Sequence, residues 1–360
     1  MNVAVWAPES KGVSPGQRFR IEQWEGLLKA DGIDLTYFPF LDGATADLLK
    51  RQGHPLRKAV RVAFCLRHRL RLATLIRGFD LVYVFRETAL LGPALAERIL
   101  GLRKIPFVFD FDDSVWIRYV SPANSSWSYL RCPGKTATTC RRSVHTIAGN
   151  ETLAVYARRH ARDVSIVPTT IDTDLYLPRA PGNTVPVIGW TGSYSTAQYL
   201  NFVRPVLQRL SRRVRFRVRI IGASSFEAEG VDIGVVPWRA ETEVQDLAGL
   251  DIGMMPLPDG DWERGKCGLK ALQYMALGVP AVVSPVGVNT TIVAHEENGL
   301  LAGSEAEWEA ALERLLLDAD LRRRLGAAAR ACVERLYSAR VHAPRVAEIF
   351  RRGLAESASS

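Results

Sequence analysis

The stretch Glu263–Gly287, ERGKCGLKALQYMALGVPAVVSPVG, restricts the fold more than any other part of the chain. It reads as a loop, a helix and a buried strand in succession. The loop carries Gly265, Lys266 and Gly268, Lys270 lies in the first helical turn, and helix formers run from Ala271 to Leu277. Gly278 and Pro280 stop the helix, one by taking a left-handed C-terminal position, the other by lacking an N–H. Ala281–Ser284 is a short run without polar alternation, the mark of a strand covered on both faces. A helix N-terminus presents unpaired N–H groups and partial positive charge, which suits a phosphate. Lys266 and Lys270 add full charges beside it. The local physics leaves two readings open: a turn that holds a diphosphate, or an αβ unit whose lysines are merely solvated.

A chain of 360 residues predicts two domains, each able to bury its own core. The apolar fraction of 47% and charged fraction of 24% are ordinary for a soluble globular protein. The formal net charge of +9 is not, and it favours anionic partners such as nucleotide sugars, anionic lipid surfaces or nucleic acid. The five cysteines (65, 132, 140, 267 and 332) are scattered, with no C-x-x-C. That pattern fits a reducing cytosol and argues against a zinc site or a disulfide framework. The N-terminal MNVAVWAPESKG lacks a basic flank and a long apolar run, so no signal peptide is expected. The long uncharged stretch Ala271–Ala294 is interrupted by Gly278, Pro280, Pro285 and Gly287, so a membrane span is not expected there.

The first half opens with a strand at Asn2–Ala7, a loop containing Gly12, Pro15 and Gly16, and a helix from about Arg18 to Ala30 with Ile21, Trp24, Leu27 and Leu28 on one face. Strand, glycine loop and helix begin a doubly wound sheet, though no G-x-G-x-x-G is present. Further strands are expected at Leu35–Phe40 and Leu81–Phe85. From Lys50 to Arg77 there is no acidic residue, while Arg51, Arg57, Lys58, Arg61, Arg67, Arg69, Arg71 and Arg77 alternate with apolar positions at helical spacing. This basic amphipathic helix, 55–77, is either a solvated surface helix or a dock for anionic membrane or a lipid-linked acceptor. Nucleic acid is disfavoured, since no aromatics are interleaved for base stacking. PFVFDFDDSVW is a strand running into Asp110, Asp112 and Asp113, at the strand end where open α/β sheets bind ligands. Repulsion among clustered carboxylates raises the pKa of one and suits it to proton transfer; a metal pair or a helix cap are the other readings. Ser121–Pro133 reads as a loop lining a cleft, and His145, alone in a strand, as a structural histidine. The second half restarts the architecture: VPVIGWTGSYST is a strand and glycine loop with Thr196 as a helix cap, and VDIGVVPW and DIGMMPLPDG are further strands.

The segment GKCGLKALQYMALGVPAVV resembles the donor-sugar motif of retaining glycosyltransferases of family 4, which have the GT-B fold. It matches at Gly268, Leu269, Leu272, Met275, Ala276, Gly278, Pro280 and Val282. VSIVPTTIDTDLYLP resembles the family's linker entry, at Pro168, Ile171, Asp172 and Pro178. The resemblance implies an α/β chain of two doubly wound Rossmann-like domains facing across a cleft: an acceptor-side domain 1–178, a nucleotide-sugar donor domain 179–340, and a segment 341–360 whose helix crosses back to the first domain. It implies a donor site at Gly192, Ser193, Trp238, Pro256, Lys266, Gly268, Leu269, Lys270 and Gln273. Gly16, Arg18, Arg20 and Asn150 fall on the acceptor side, and Asp112 and Asp113 near the acceptor hydroxyl. The reaction implied is sugar transfer from a nucleotide diphosphate sugar to a hydroxyl, with retention and no metal or other cofactor, in the cytoplasm or on the inner face of the membrane. Both family glutamates are absent, with Gly265 and Gln273 in their places. Two alternatives stay open: a GT-B nucleotide-sugar epimerase, and a catalytically silent homologue that binds membrane or another transferase.

Overall fold

The computed structural model describes residues 1–51, 53–117, 132–178, 183–193 and 195–358. Two compact units emerge, Met1–Thr169 with His342–Ser360, and Thr170–Val341.

The first unit is built on a six-stranded sheet in the order β2-β1-β3-β4-β5-β6, with parallel pairing throughout. The strands are β1 (Asn2–Ala7), β2 (Asp34–Pro39), β3 (Leu81–Phe85), β4 (Phe107–Phe111), β5 (His145–Ala148) and β6 (Val164–Ile166). β3 and β4 are buried along their whole length, as expected for strands covered on both faces. The strand order reverses between β1 and β3, so the crevice that such sheets leave for ligands lies at the C-terminal ends of those two strands.

The expected helix from Arg18 to Ala30 is broken. Arg18–Glu22 is an irregular wide turn, interrupted at Arg20 (φ −123°, ψ −108°), and the regular helix is Gln23–Ala30. The cause is the Arg20 side chain, which reaches inward to Asp110 and to the carbonyl of Val167. The basic helix spans Pro55–Leu75 and buries Lys58, Val62, Cys65, Arg69 and Ala73. Arg69 is 1% exposed, donates to the Phe38 carbonyl at 2.7 Å and lies 4.8 Å above the Trp6 ring. His145 is buried in β5. Burial first, and then the Arg352 guanidinium, push its pKa down to about 4, so it is a neutral structural residue at neutral pH.

The second unit carries a six-stranded parallel sheet in the order β12-β11-β10-β7-β8-β9. Its strands are β7 (Val187–Thr191), β8 (Arg217–Ile221), β9 (Asp232–Val236), β10 (Ile252–Met255), β11 (Ala281–Val283) and β12 (Leu300–Leu301). Read from the other edge this is the doubly wound order that reverses between β7 and β10. Its core joins Ile188, Trp190, Val203, Leu207, Ile220, Met254, Trp308 and Leu312.

The units part at Thr169, ahead of the expected boundary at 178. Ile171 bridges Ser338, and Arg330 donates to the carbonyls of Thr173 and Tyr176, so these residues are held by the second unit. The C-terminal helix continues to Ala358. Phe350 packs edge-on against Tyr83 at 5.7 Å, and Arg351 pairs with Asp31 at 2.8 Å, which ties this helix to the first unit. The expected loop Ser121–Pro133 falls outside the described residues up to 131. Among the described residues no helix is long and apolar enough to cross a membrane.

Candidate functional site

The switch point of the second unit is assembled around the helix Leu269–Ala276. Gly268 precedes it with φ +68°, a conformation that costs any other residue about 1–2 kcal/mol. A Cβ there would meet Ile292 Cδ1 at 2.3 Å. The helix is pinned by Tyr274. Its ring covers Gly253 of β10, where a Cβ would stand 2.3 Å from it. Its hydroxyl accepts from the Thr191 N–H at 2.9 Å, at the last residue of β7. One side chain thereby fixes the helix against both strands that flank the reversal. Lys270 lies half-buried in the first turn, with Nζ 5.5 Å from the Trp190 ring centroid. Lys266 Nζ lies 5.7 Å from the Trp262 ring.

The glycine loop after β7 is equally constrained. Gly192 N–H donates to the Ile221 carbonyl at 3.0 Å, and a Cβ on Gly222 would meet the Gly192 carbonyl oxygen at 2.2 Å and Trp238 Cβ at 3.2 Å. Gly192 and Trp238 therefore lie together beside Gly222. Ser193, exposed, hydrogen-bonds Ser195 at 2.9 Å. Thr196 closes the turn onto the Ser193 carbonyl at 3.1 Å instead of capping a helix. Pro256 is buried at the end of β10 and shapes the strand end without offering a surface.

Gln273 is 3% exposed, and its amide donates to Tyr176 Oη at 3.2 Å. Tyr176 donates to Glu243 Oε2 at 3.0 Å, and Trp238 Nε1 donates to Glu243 Oε1 at 2.8 Å. A buried carboxylate thus links the two expected donor-side residues, Gln273 and Trp238, through a tyrosine. Tyr199 donates to Glu263 Oε1 at 2.5 Å, tying the turn that follows the glycine loop to the segment before Lys266. Neither acid was identifiable in the sequence. Each has its partner far along the chain, and no local spacing marks it.

In the first unit, the expected acceptor-side residues follow β1 (Gly16, Arg18, Arg20), β4 (Asp112, Asp113) and β5 (Asn150), and most are engaged by other residues of the unit. Arg20 is 0% exposed and grips Asp110 with Nε at 2.8 Å and Nη2 at 2.7 Å. It is a core ion pair and touches no surface, which corrects its expected acceptor contact. Asp112 receives two bonds from Arg86, at 2.5 and 2.9 Å. Arg86 adopts φ 58°, and Gly16 packs so closely that a Cβ would meet Arg86 Nη2 at 2.7 Å and Asp112 Oδ2 at 3.0 Å. Burial works against the Asp112 charge, yet the Arg86 guanidinium outweighs it and holds the carboxylate below its ordinary range. The expected proton acceptor is therefore a stabilised anion, and the carboxyl pushed above its ordinary range is Asp110, by burial first, with the Asp112 charge a lesser cause. Asp113 is half-buried and accepts weakly from Ser114 N–H at 3.3 Å. Asn150 caps the helix Glu151–Arg158 through the Leu153 N–H at 2.9 Å. Arg18 stacks over Phe19 at 5.5 Å. Among the described residues no group of three or more His, Cys, Asp or Glu is arranged to hold a metal ion.

Residues 185–318 match the family model described as Glycosyl transferases group 1. A D-inositol 3-phosphate glycosyltransferase of Stackebrandtia nassauensis is 45% identical over 64 residues, which is 17% of this chain and 14% of that relative. Among solved structures, sucrose-phosphate synthase of Thermosynechococcus elongatus aligns over 99% of each chain with a TM-score of 0.70 at 15% identity. The catalytic domain of Arabidopsis thaliana starch synthase IV, bound to ADP and acarbose, gives 0.70 at 12% identity over 98% of this chain and 99% of that one. Anabaena HepE in complex with UDP gives 0.65 at 16% identity, covering 98% of this chain and 100% of that one. The fold is that of the GT-B glycosyltransferases, with two Rossmann-like units each built on a parallel sheet.

Proposed function

We propose that the chain is a glycosyltransferase that moves a sugar from a nucleotide diphosphate sugar to an acceptor hydroxyl, with retention of configuration and without a metal. The observation that carries the reading is the helix N-terminus at Gly268, pinned by Tyr274 beside the β7–β10 reversal with Lys270 in its first turn. This element lies inside the segment that matches the group 1 transferases. A leaving diphosphate needs charge stabilisation at the moment the glycosidic bond breaks. Lys266, Lys270 and the amides at Gly268 and Leu269 would supply it from a fixed frame. Gly192 and Ser193 would border the phosphates, and Trp238, oriented by Glu243, the nucleoside. The strand ends around Gly16, Arg18, Asp112 and Asp113 would receive the acceptor, with Asp112 acting as a hydrogen-bond acceptor for a hydroxyl. Retention would follow if the donor phosphate itself takes the acceptor proton, which requires no dedicated nucleophile. A cytoplasmic setting fits the five cysteines outside any disulfide.

A second reading, a silent homologue, is favoured by Gln273, whose amide is buried against Tyr176 where the family glutamate is absent. Thermal melting with UDP, GDP and ADP, and then with their sugars, separates these readings from the outset, because a ligand bound to the native state raises the midpoint. The transferase reading expects a shift with a nucleotide sugar, followed by a glycosylated product whose anomeric configuration matches the donor. An epimerised nucleotide sugar formed without acceptor would assign an epimerase. Binding without turnover across an acceptor panel would assign the silent homologue, and no shift with any nucleotide would remove the donor site.

A further inference from the structure

The helix Pro55–Leu75 turns a conspicuous face outward. Leu56, Val60, Phe64 and Leu75 are 82, 69, 63 and 57% exposed. With 3.6 residues per turn, these four fall within an arc of about 100° together with the exposed Arg67 and Arg71. Arg57, Arg61 and His68 border that arc, and Arg61 also approaches Asp42 at 3.5 Å. The opposite face is seated in the unit through Lys58, Val62, Cys65, Arg69 and Ala73, so the helix lies flat with its apolar stripe outward. At its C-terminal end, Arg103 Nη1 donates to the carbonyls of Ala73 and Ile76, both at 3.1 Å. This brings the adjoining Leu102, 83% exposed, to the same end.

A second copy of this face would bring arginine against arginine, with no carboxylate between Lys50 and Arg77 to answer it. The stripe suits a surface that is apolar beneath and anionic on top. We propose that this face docks on an anionic lipid surface. Leu56, Val60, Phe64 and Leu75 enter the boundary between headgroups and acyl chains. The guanidinium groups of Arg57, Arg61, Arg67 and Arg71 remain with the lipid phosphates, their stems lying along the apolar layer. The absence of any acidic residue between Lys50 and Arg77 leaves nothing on the helix to repel those phosphates. The proposal does not depend on the transferase reading.

The test is co-sedimentation of the full chain with phosphatidylcholine vesicles, with and without about one-third phosphatidylglycerol, at low and raised salt. The expected result is binding to the anionic vesicles at least about tenfold stronger than to neutral ones, weakening as salt is added. V60S/F64S and R67E/R71E should each lower it by about tenfold or more, with unchanged melting because all four side chains are exposed. Equal binding to neutral vesicles, or no binding to anionic ones by the wild-type chain, would overturn the proposal without recourse to any variant. So would a dimer dissolved by V60S/F64S, or tighter binding of short duplex DNA than of anionic vesicles through the same arginines.

Discussion

The two units end their central strands on opposite uses of charge. In the first, two of the three carboxylates at the end of β4 are taken by arginines of the same unit, Asp110 by Arg20 and Asp112 by Arg86. In the second, the amines near the reversal lie over aromatic faces, Lys270 over Trp190 and Lys266 over Trp262, beside a helix N-terminus. A bidentate arginine–carboxylate pair fixes geometry and spends its charge internally. A lysine over an indole keeps a compact positive head that can still be drawn toward an incoming anion. On the function proposed above, the same architecture would supply a charge-satisfied wall in one unit and a cationic cradle in the other. The contrast predicts that changes at the first set of residues act on stability, and changes at the second on binding and rate.

The largest expected effect tests the first half of that contrast. Arg20→Met leaves Asp110 buried without its cation, and removing one partner of a buried pair costs about 3–5 kcal/mol. The measurement is the denaturant midpoint of the variant. Arg20→Met combined with Asp110→Leu should recover part of the loss, since an apolar pair needs no compensating charge. A single variant as stable as the wild type would mean that Arg20 is not a wall but a free cation, and the comparison would break.

Lys270→Ala tests the second half. It should leave the melting point close to wild type and slow turnover by about two orders of magnitude, near 3 kcal/mol in activation free energy, as for the loss of one preorganised donor to developing negative charge. Steady-state rates with the donor found in the melting screen decide it. An unchanged rate would move the diphosphate away from this turn. Tyr274→Phe should fall between the two regimes. It strips the buried Thr191 N–H of its acceptor, at a cost of about 1–3 kcal/mol in stability. It also loosens the helix that carries Lys270, so kcat should fall with little change in the KM for donor.

The layout of both units was legible in the sequence because buried parallel strands are uninterrupted apolar runs, and their stops are glycines and prolines. β11 and the helix before it can be drawn from Leu269 to Val283 without coordinates. Gly192 after a strand and Gly268 ahead of a helix were legible as turn glycines, since glycine positions carry backbone information that any sequence displays; the strand reversal beside them is set by the sheet order. What was not legible is non-local. Arg20 reads as a surface residue on an amphipathic turn, and only the fold brings it to Asp110, ninety positions on. Arg86 follows a strand as any polar residue might, and nothing local announces that it will take Asp112. Glu243 joins Trp238 to Tyr176 across the second unit, a link set by packing of the segment after Thr169 and by no motif.

The smallest effect is the most direct probe of the Arg86–Asp112 pair, because it reads one proton. A carboxylate whose folded pKa lies below its unfolded value of about 3.9 favours the folded state above that value, and the contribution is lost as pH falls through the folded pKa. Asp112 should therefore stay ionised to a lower pH than a solvated aspartate. Carbon-13 carboxyl resonances, assigned by comparison with Asp112→Asn, would follow it in acid. Arg86→Met should move the Asp112 titration upward, because burial then acts without its largest opponent, with Arg20 still pulling the other way. If Asp112 already titrates above the ordinary range in the wild-type chain, it is poised to accept a proton and not held as an anion. The first unit would then contribute chemistry as well as shape, and the division of labour between the two strand ends would dissolve.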